Sequence, residues 1–218
     1  MDTAAGTGWR LEGDRNAVIT LAIETSTGNG SLALSGDGRT LFSERFMADR
    51  GHGAGLFANL ERARGISPHW DQIVVGLGPG SYSGVRIAIA AAVGLEFATK
   101  AKVLGIPSIL ALETPAKKYL SVGDARRDSF YFAVVDDGEC ASGPMLLDAA
   151  ALKAALGAHE NLPVLASAPI DGIANLQICF PSAERLARLA ERGRGISARD
   201  NLEPIYLRDP HITQPKKL

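Results

Sequence analysis

The sequence predicts an α/β fold built as two lobes, and three observations point there. Apolar runs of strand length alternate with helix-length amphipathic segments. A glycine-rich turn, Gly78-Pro-Gly-Ser-Tyr-Ser-Gly84, joins one such run to an alanine-rich helix. The composition, 46% hydrophobic and 22% charged over 218 residues, is that of a chain with a packed core. At about 150 residues per domain, the length suits one large domain or two small lobes.

The elements follow in order. Residues 17–24 (AVITLAIE) are apolar on both alternating faces, the pattern of a strand buried in mid-sheet. Thr25-Ser-Thr-Gly-Asn-Gly30 supplies the hydroxyls and glycines of a turn, residues 31–35 return as a second strand, and Gly36-Asp-Gly38 turns the chain into a third over residues 40–46. Leu56, Phe57, Leu60 and Ala63 share one face of a helix over residues 53–64, whose start is weakened by Gly51, Gly53 and Gly55. A strand over residues 72–77, a helix over 84–99, a strand over 102–106 and a short helix from Ser108 complete a first lobe, residues 17–113. Residues 114–207 form a smaller second lobe with strands at 119–122, 129–136, 164–166 and 176–180 and helices at 148–156 and 181–192. Residues 1–16 and 208–218 lack periodicity and read as tails.

Charge and cysteine count exclude several functions. With 23 Lys+Arg against 24 Asp+Glu the net charge is -1, so no global field draws the chain to nucleic acid or an acidic membrane. Any contact with RNA is expected through a partner. Cys140 and Cys179 are too few for a disulfide framework or a four-ligand zinc site, which suits a reducing cytoplasm. No apolar stretch nears the roughly 18 residues of a membrane span, and the N-terminus lacks the apolar core of a signal peptide. His52, His69, His159 and His211 have no helical partner at i+3 or i+4 with which to share a metal.

Two loops could hold phosphate. Glu24 with Thr25 and Ser26 could wrap one through backbone amides, the carboxylate reaching a hydrated metal; the same spacing is that of a plain β-hairpin. In the second loop Gly78, Gly80 and Gly84 permit close backbone approach, and Ser81 or Ser83 can cap a helix whose N-terminus favours anions. It matches neither GxGxxG nor the Walker pattern, and a tight strand-to-helix turn explains it equally well. The run from Asp124 to Asp128 (DARRD) reads as a solvated, ion-paired turn.

The helix after the second loop has two apolar stripes. Ile87, Ala91, Gly94, Leu95 and Ala98 are expected on the core side, their small residues suiting close packing on a sheet. Ile89, Val93 and Phe97 lie opposite, rimmed by Arg86, Glu96 and Lys100, and an apolar centre with a charged rim marks a partner interface. A helix sandwiched within one domain is the alternative.

The segments LAIETSTGNGSLAL, GLGPGSYSGVRIAIAAAVGLEFAT, GIPSILALE, VGDARRDSFYFAVV and PIYLRD resemble, in that order, the YeaZ (TsaB) family of bacterial tRNA threonylcarbamoyladenosine biosynthesis proteins, over residues 17–208. The resemblance implies an actin-like ATPase (ASKHA, ribonuclease H-like) fold with a complete N-terminal lobe and a reduced C-terminal one. It implies a non-catalytic, cytoplasmic subunit with no peptidase activity. Such a subunit works with TsaD and TsaE to place threonylcarbamoyl on N6 of adenosine 37 in tRNAs reading ANN codons. It implies a homodimer when alone, contact with tRNA only within the complex, no membrane, and no cofactor of its own beyond weak or partner-dependent ATP or ADP with Mg. Arg86, Ile89, Val93 and Phe97 then belong to the partner interface, and Glu24, Thr25, Ser26, Gly78, Gly80, Ser81 and Gly84 are remnants of phosphate loops. The lack of a helical histidine pair agrees, because the catalytic relative holds its metal with two. Two departures stand out: the first strand ends in Glu24 where the family often has Asp, and the first helix is unusually rich in glycine. The competing enzyme reading is a stand-alone ATP-binding phosphotransferase or ATPase of the actin-like superfamily.

Overall fold

The computed structural model describes residues 18–47, 52–197 and 202–207. The expected tails, Gly51 and His211 lie outside them. The chain opens with a meander of β1 (Ile19–Glu24), β2 (Asn29–Gly36) and β3 (Arg39–Met47). Then come α1 (His52–Ile66), β4 (Gln72–Gly76), α2 (Tyr82–Thr99), β5 (Lys102–Ile106) and a 3₁₀ turn, Ser108–Ala111. A second unit follows: β6 (Lys118–Asp124), β7 (Ser129–Asp136), β8 (Glu139–Asp148), α3 (Ala149–Gly157), β9 (Val164–Ala166) and β10 (Leu176–Ile178). The chain returns through α4 (Ala183–Glu191) and β11 (Ile196–Ser197).

The first sheet has the order β11-β5-β4-β1-β2-β3, with β1 antiparallel to β2 and parallel to β4. The second runs β10-β9-β6-β7-β8 and repeats the order β5-β4-β1-β2-β3 strand for strand, with no counterpart of β11. This doubled topology is that of the actin-like ATPase fold. The second copy is reduced where the resemblance implies: a helix of 18 residues, α2, stands between β4 and β5, whereas only the connection 167–175 joins β9 to β10.

Burial explains the two-faced apolar pattern of β1. Leu21 and Ile23, with Leu32, Leu34, Ile73 and Val75, face the layer of α1 and α2. Ala22, Ala33 and Val74 face α4, and their small side chains let Ala183, Ala187 and Ala190 come close. Tyr119, Ala133, Val135 and Leu165 of the second sheet close the same core from the far side, and Leu152 of α3 covers that sheet's other face. The layers therefore run helix, sheet, helix, sheet, helix. Although α4 and β11 follow the second sheet in sequence, α4 packs on β1, β2 and β4 and β11 pairs with β5, so the stretch from Pro181 bridges both lobes.

Three elements differ from expectation, one of them the two-residue β11, which is too short to carry a sequence pattern. The strand β8 goes unseen in the sequence because Gly143-Pro144 interrupts it; Pro lacks an amide donor and Gly143 has φ +83°, so the ladder with β7 shifts register there. The short helix from Ser108 is a 3₁₀ turn. Among the described residues no helix is long and apolar enough to cross a membrane.

Candidate functional site

Strand β1 delivers Glu24 to the junction of the two loops, where it is fully buried. Loss of solvation pushes its pKa up from the usual carboxylate value, and the hydroxyls of Ser26 and Ser108 only partly offset this. Its Oε1 accepts the Ser26 amide at 2.6 Å, while Oε2 makes no hydrogen bond. Across from it a Cβ on Gly76 would overlap Oε2, so the glycine is what makes room for this carboxyl.

The two loops meet in the fold, and they bond to each other. Thr25 Oγ1 donates to the Gly84 carbonyl at 2.8 Å, and the Ser81 amide donates to the Ser26 carbonyl. Ser81 caps α2 by accepting the Gly84 amide at 3.2 Å, and the Gly78 amide donates to Ser108 Oγ at 3.0 Å. A Cβ on Gly80 or Gly84 would collide with the Ser26 or Thr25 carbonyl, respectively. Each glycine thus has a packing reason, and the amides of Gly78, Ser81 and Gly84 already have protein acceptors. The cleft between the lobes lies alongside, about 330 Å³, with Pro79 to Ser81 on one wall and Asp124 to Arg126 and Tyr131 on the other. Arg126, Arg127 and Asp128 all have positive φ, and Arg126 pairs with Asp124 at 3.4 Å. Among the described residues no three His, Cys, Asp or Glu side chains converge on a metal position.

Of the stripe expected to face outward on α2, Val93 and Phe97 are exposed, whereas Ile89 packs partly against the core. Val93 is 46% and Phe97 81% exposed, Ile89 is half-buried, and Arg86 is exposed. The rim is ordered on rings, with the Arg86 guanidinium 5.1 Å from the Tyr82 centroid and Lys100 Nζ 4.8 Å from that of Phe97. The core stripe is corrected. Gly84, Val85, Ala88 and Ala92 face the sheet, about a quarter turn from the expected set. Gly94 and Ala98 are exposed, and Ile87, Ala91 and Leu95 are only partly covered.

That rotation opens a feature missed in the sequence. Ile87, Ala91, Gly94 and Leu95 form one wall of an apolar groove of about 630 Å³, Phe57, Leu60 and Gly53 of α1 form the other, and Trp70 lies between. Phe57 is 56% exposed, whereas its neighbours Leu56 and Leu60 are buried. Phe57, expected on one face with Leu56, Leu60 and Ala63, instead stands out at the groove, and the glycines at 53 and 94 leave space that larger side chains would fill. The two helices thus expose Phe57 beside the groove and Val93 and Phe97 on the outward stripe of α2, with Arg86 and Lys100 at the stripe's rim.

Residues 56–184 match the model of the family described as TsaD, tRNA N6-adenosine threonylcarbamoyltransferase. An uncharacterized protein of Mycobacterium leprae is 33% identical over 135 residues, 58% of this chain and 38% of that one. One of Mycobacterium tuberculosis is 31% identical over 146 residues, 64% of this chain and 65% of its own. The chain thus aligns with less than two thirds of the length of these relatives. Among solved structures it is similar to YeaZ from Pseudomonas aeruginosa, with TM-score 0.66 and 26% identity over 87% of this chain and 100% of that one. A second Pseudomonas aeruginosa structure, described as similar to the peptidase YeaZ, gives TM-score 0.68 and 28% identity over 88% of this chain and 100% of the other.

Proposed function

Starting from the fact that the chain belongs to the family described as TsaD, tRNA N6-adenosine threonylcarbamoyltransferase, and is built like YeaZ, we propose that it is a non-catalytic scaffold subunit of the assembly that forms threonylcarbamoyladenosine at position 37 of tRNA. Its partners are TsaD-type and TsaE-type proteins, and alone it pairs with a second copy of itself. The observation that carries this reading is the exposed apolar surface of α1 and α2, the groove beside Phe57 together with Val93 and Phe97 on the outward stripe of α2, on the lobe that keeps both helices. A face of that kind supports association rather than chemistry.

The alternative, a stand-alone ATP-binding phosphotransferase, has weaker support. Its phosphate cradle would need amides that are engaged with Ser26, Ser81 and Ser108, and its carboxylate would be Glu24, buried under Ser26 with its pKa raised. Nucleotide, with Mg, is accordingly assigned to the assembled complex.

Reconstitution of the tRNA modification from purified components, with and without this chain, tests the proposal. Loss of modification on omission, with restoration by the wild-type chain, supports it; full activity in its absence rules it out.

A further inference from the structure

A second pocket lies at the other end of the second sheet from the Asp124 turn, about 230 Å³ in volume and lined by Lys117, Arg185, Arg188 and Arg192 with Asp137. Arg185, Arg188 and Arg192 are spaced i, i+3, i+7, so they share one face of α4 and its C-cap over about 10 Å of axis. The opposite face is fixed by Ala183, Leu186, Ala187 and Ala190 in the core, which holds the arginine row in place. Lys117 comes from the segment leading into β6, beside the Asp137-Gly138 turn, so cations converge from two elements.

None of these four side chains makes an ion pair or hydrogen bond among the described residues. Asp137 is the one carboxylate in the lining. Glu113, which feels the field of Arg185, is already paired with Arg45. Four cations against one acid is a local surplus of three on a chain whose net charge is -1. The helix dipole accounts for Arg188 and Arg192 near the C-terminus of α4, but Arg185 is in the first turn, where the dipole favours anions, and Lys117 is on no helix. Solubility does not account for a concave cluster either, since like charges repel more strongly against apolar walls such as Leu110 and Pro115.

We infer that this pocket binds phosphate groups. The arginine fork matches phosphate oxygens, Lys117 adds a point charge, and the volume is below that of a drug-sized ligand site, enough for one or two phosphates and little more. Two sources carry that chemistry: the backbone of an RNA laid along the arginine row, or the phosphate end of a small molecule. The inference stands apart from the scaffold reading, because it concerns a different face of the chain.

Calorimetric titration of the full chain with pyrophosphate at low salt, followed by titration of a fluorescent RNA hairpin, tests it. Saturable pyrophosphate binding is expected, weakened at least about tenfold in the double variant Arg188→Gln/Arg192→Gln. The variant Arg39→Gln/Lys153→Gln, with the same change of net charge at exposed positions elsewhere, should stay within about twofold of wild type. Arg188 and Arg192 are exposed, so thermal melts should show both variants folded. RNA bound by wild type, displaced by pyrophosphate and lost in the arginine variant identifies the backbone as the source; pyrophosphate binding without RNA binding identifies a small phosphorylated molecule. No saturable binding of either probe at millimolar concentration, or equal weakening in both double variants, overturns the inference.

Discussion

The amide of Ser81 donates to the carbonyl of Ser26 across 2.6 Å, joining the loop before α2 to the first hairpin. Together with the bond from Thr25 to Gly84 it sets where α2 begins and which of its faces meets the sheet.

Gly84→Ala tests that junction. The added methyl would meet the Thr25 carbonyl, a backbone atom that cannot swing aside, so the chain should lose about 1–3 kcal/mol of stability despite alanine's better helix propensity. Urea melts measure this. A stability equal to or above wild type would show that the loops are not locked together.

Val93→Glu addresses the outward stripe. Val93 is 46% exposed, so the folded monomer should change by only about 0.5 kcal/mol, while a charge buried without a partner at an interface costs several kcal/mol and should abolish association. Sedimentation paired with a denaturant melt separates the two effects. Intact association in the variant would place the interface on another surface.

Gly94→Leu is expected to act in the same direction. A Cβ at Gly94 meets nothing within 4 Å, so the side chain enters the groove rather than the core. Monomer stability should hold or rise by about 0.5–1 kcal/mol as a helix-interior glycine is replaced. Self-association should weaken; a destabilised monomer would mean that this position faces the sheet after all.

Glu24 gives the chain a pH dependence with a definite sign. Its folded pKa is raised above the ordinary 4.5 by burial, so the folded state favours the protonated acid. The stability this provides is fully present below about pH 4.5 and is lost as pH rises through the folded pKa. Glu24→Gln removes that component, so the fall in stability from pH 5 upward should be shallower in the variant, as measured by denaturant melts across the range. Parallel curves for the two proteins would refute the assignment.

What was legible in the sequence was what depends on near neighbours. The double-faced apolar run ending at Glu24, the loop from Gly78 to Gly84, and the strands Lys102–Ile106 and Ser129–Asp136 all carry local signals that the structure repeats. The stripe assignment on α2 failed in part because alanine dominates that helix: with Ala88 and Ala92 inward and Ala90 and Ala98 outward, hydrophobicity alone gives little contrast between faces. The groove beside Phe57 and the cationic pocket were out of reach for another reason. Each joins segments far apart in the chain, Gly53 with Gly94 and Lys117 with Arg192, and no periodicity reports such a meeting.

The absence of an α2 counterpart between β9 and β10 has a consequence for valence. A fully duplicated fold would offer two helix-pair faces related by the internal repeat, and chains could link into open strings. With one such face, the scaffold proposed above would be monovalent there, so a second copy and a different partner would compete for the same surface. Under that proposal, self-pairing would act as a reservoir that drains by mass action as the other partner accumulates.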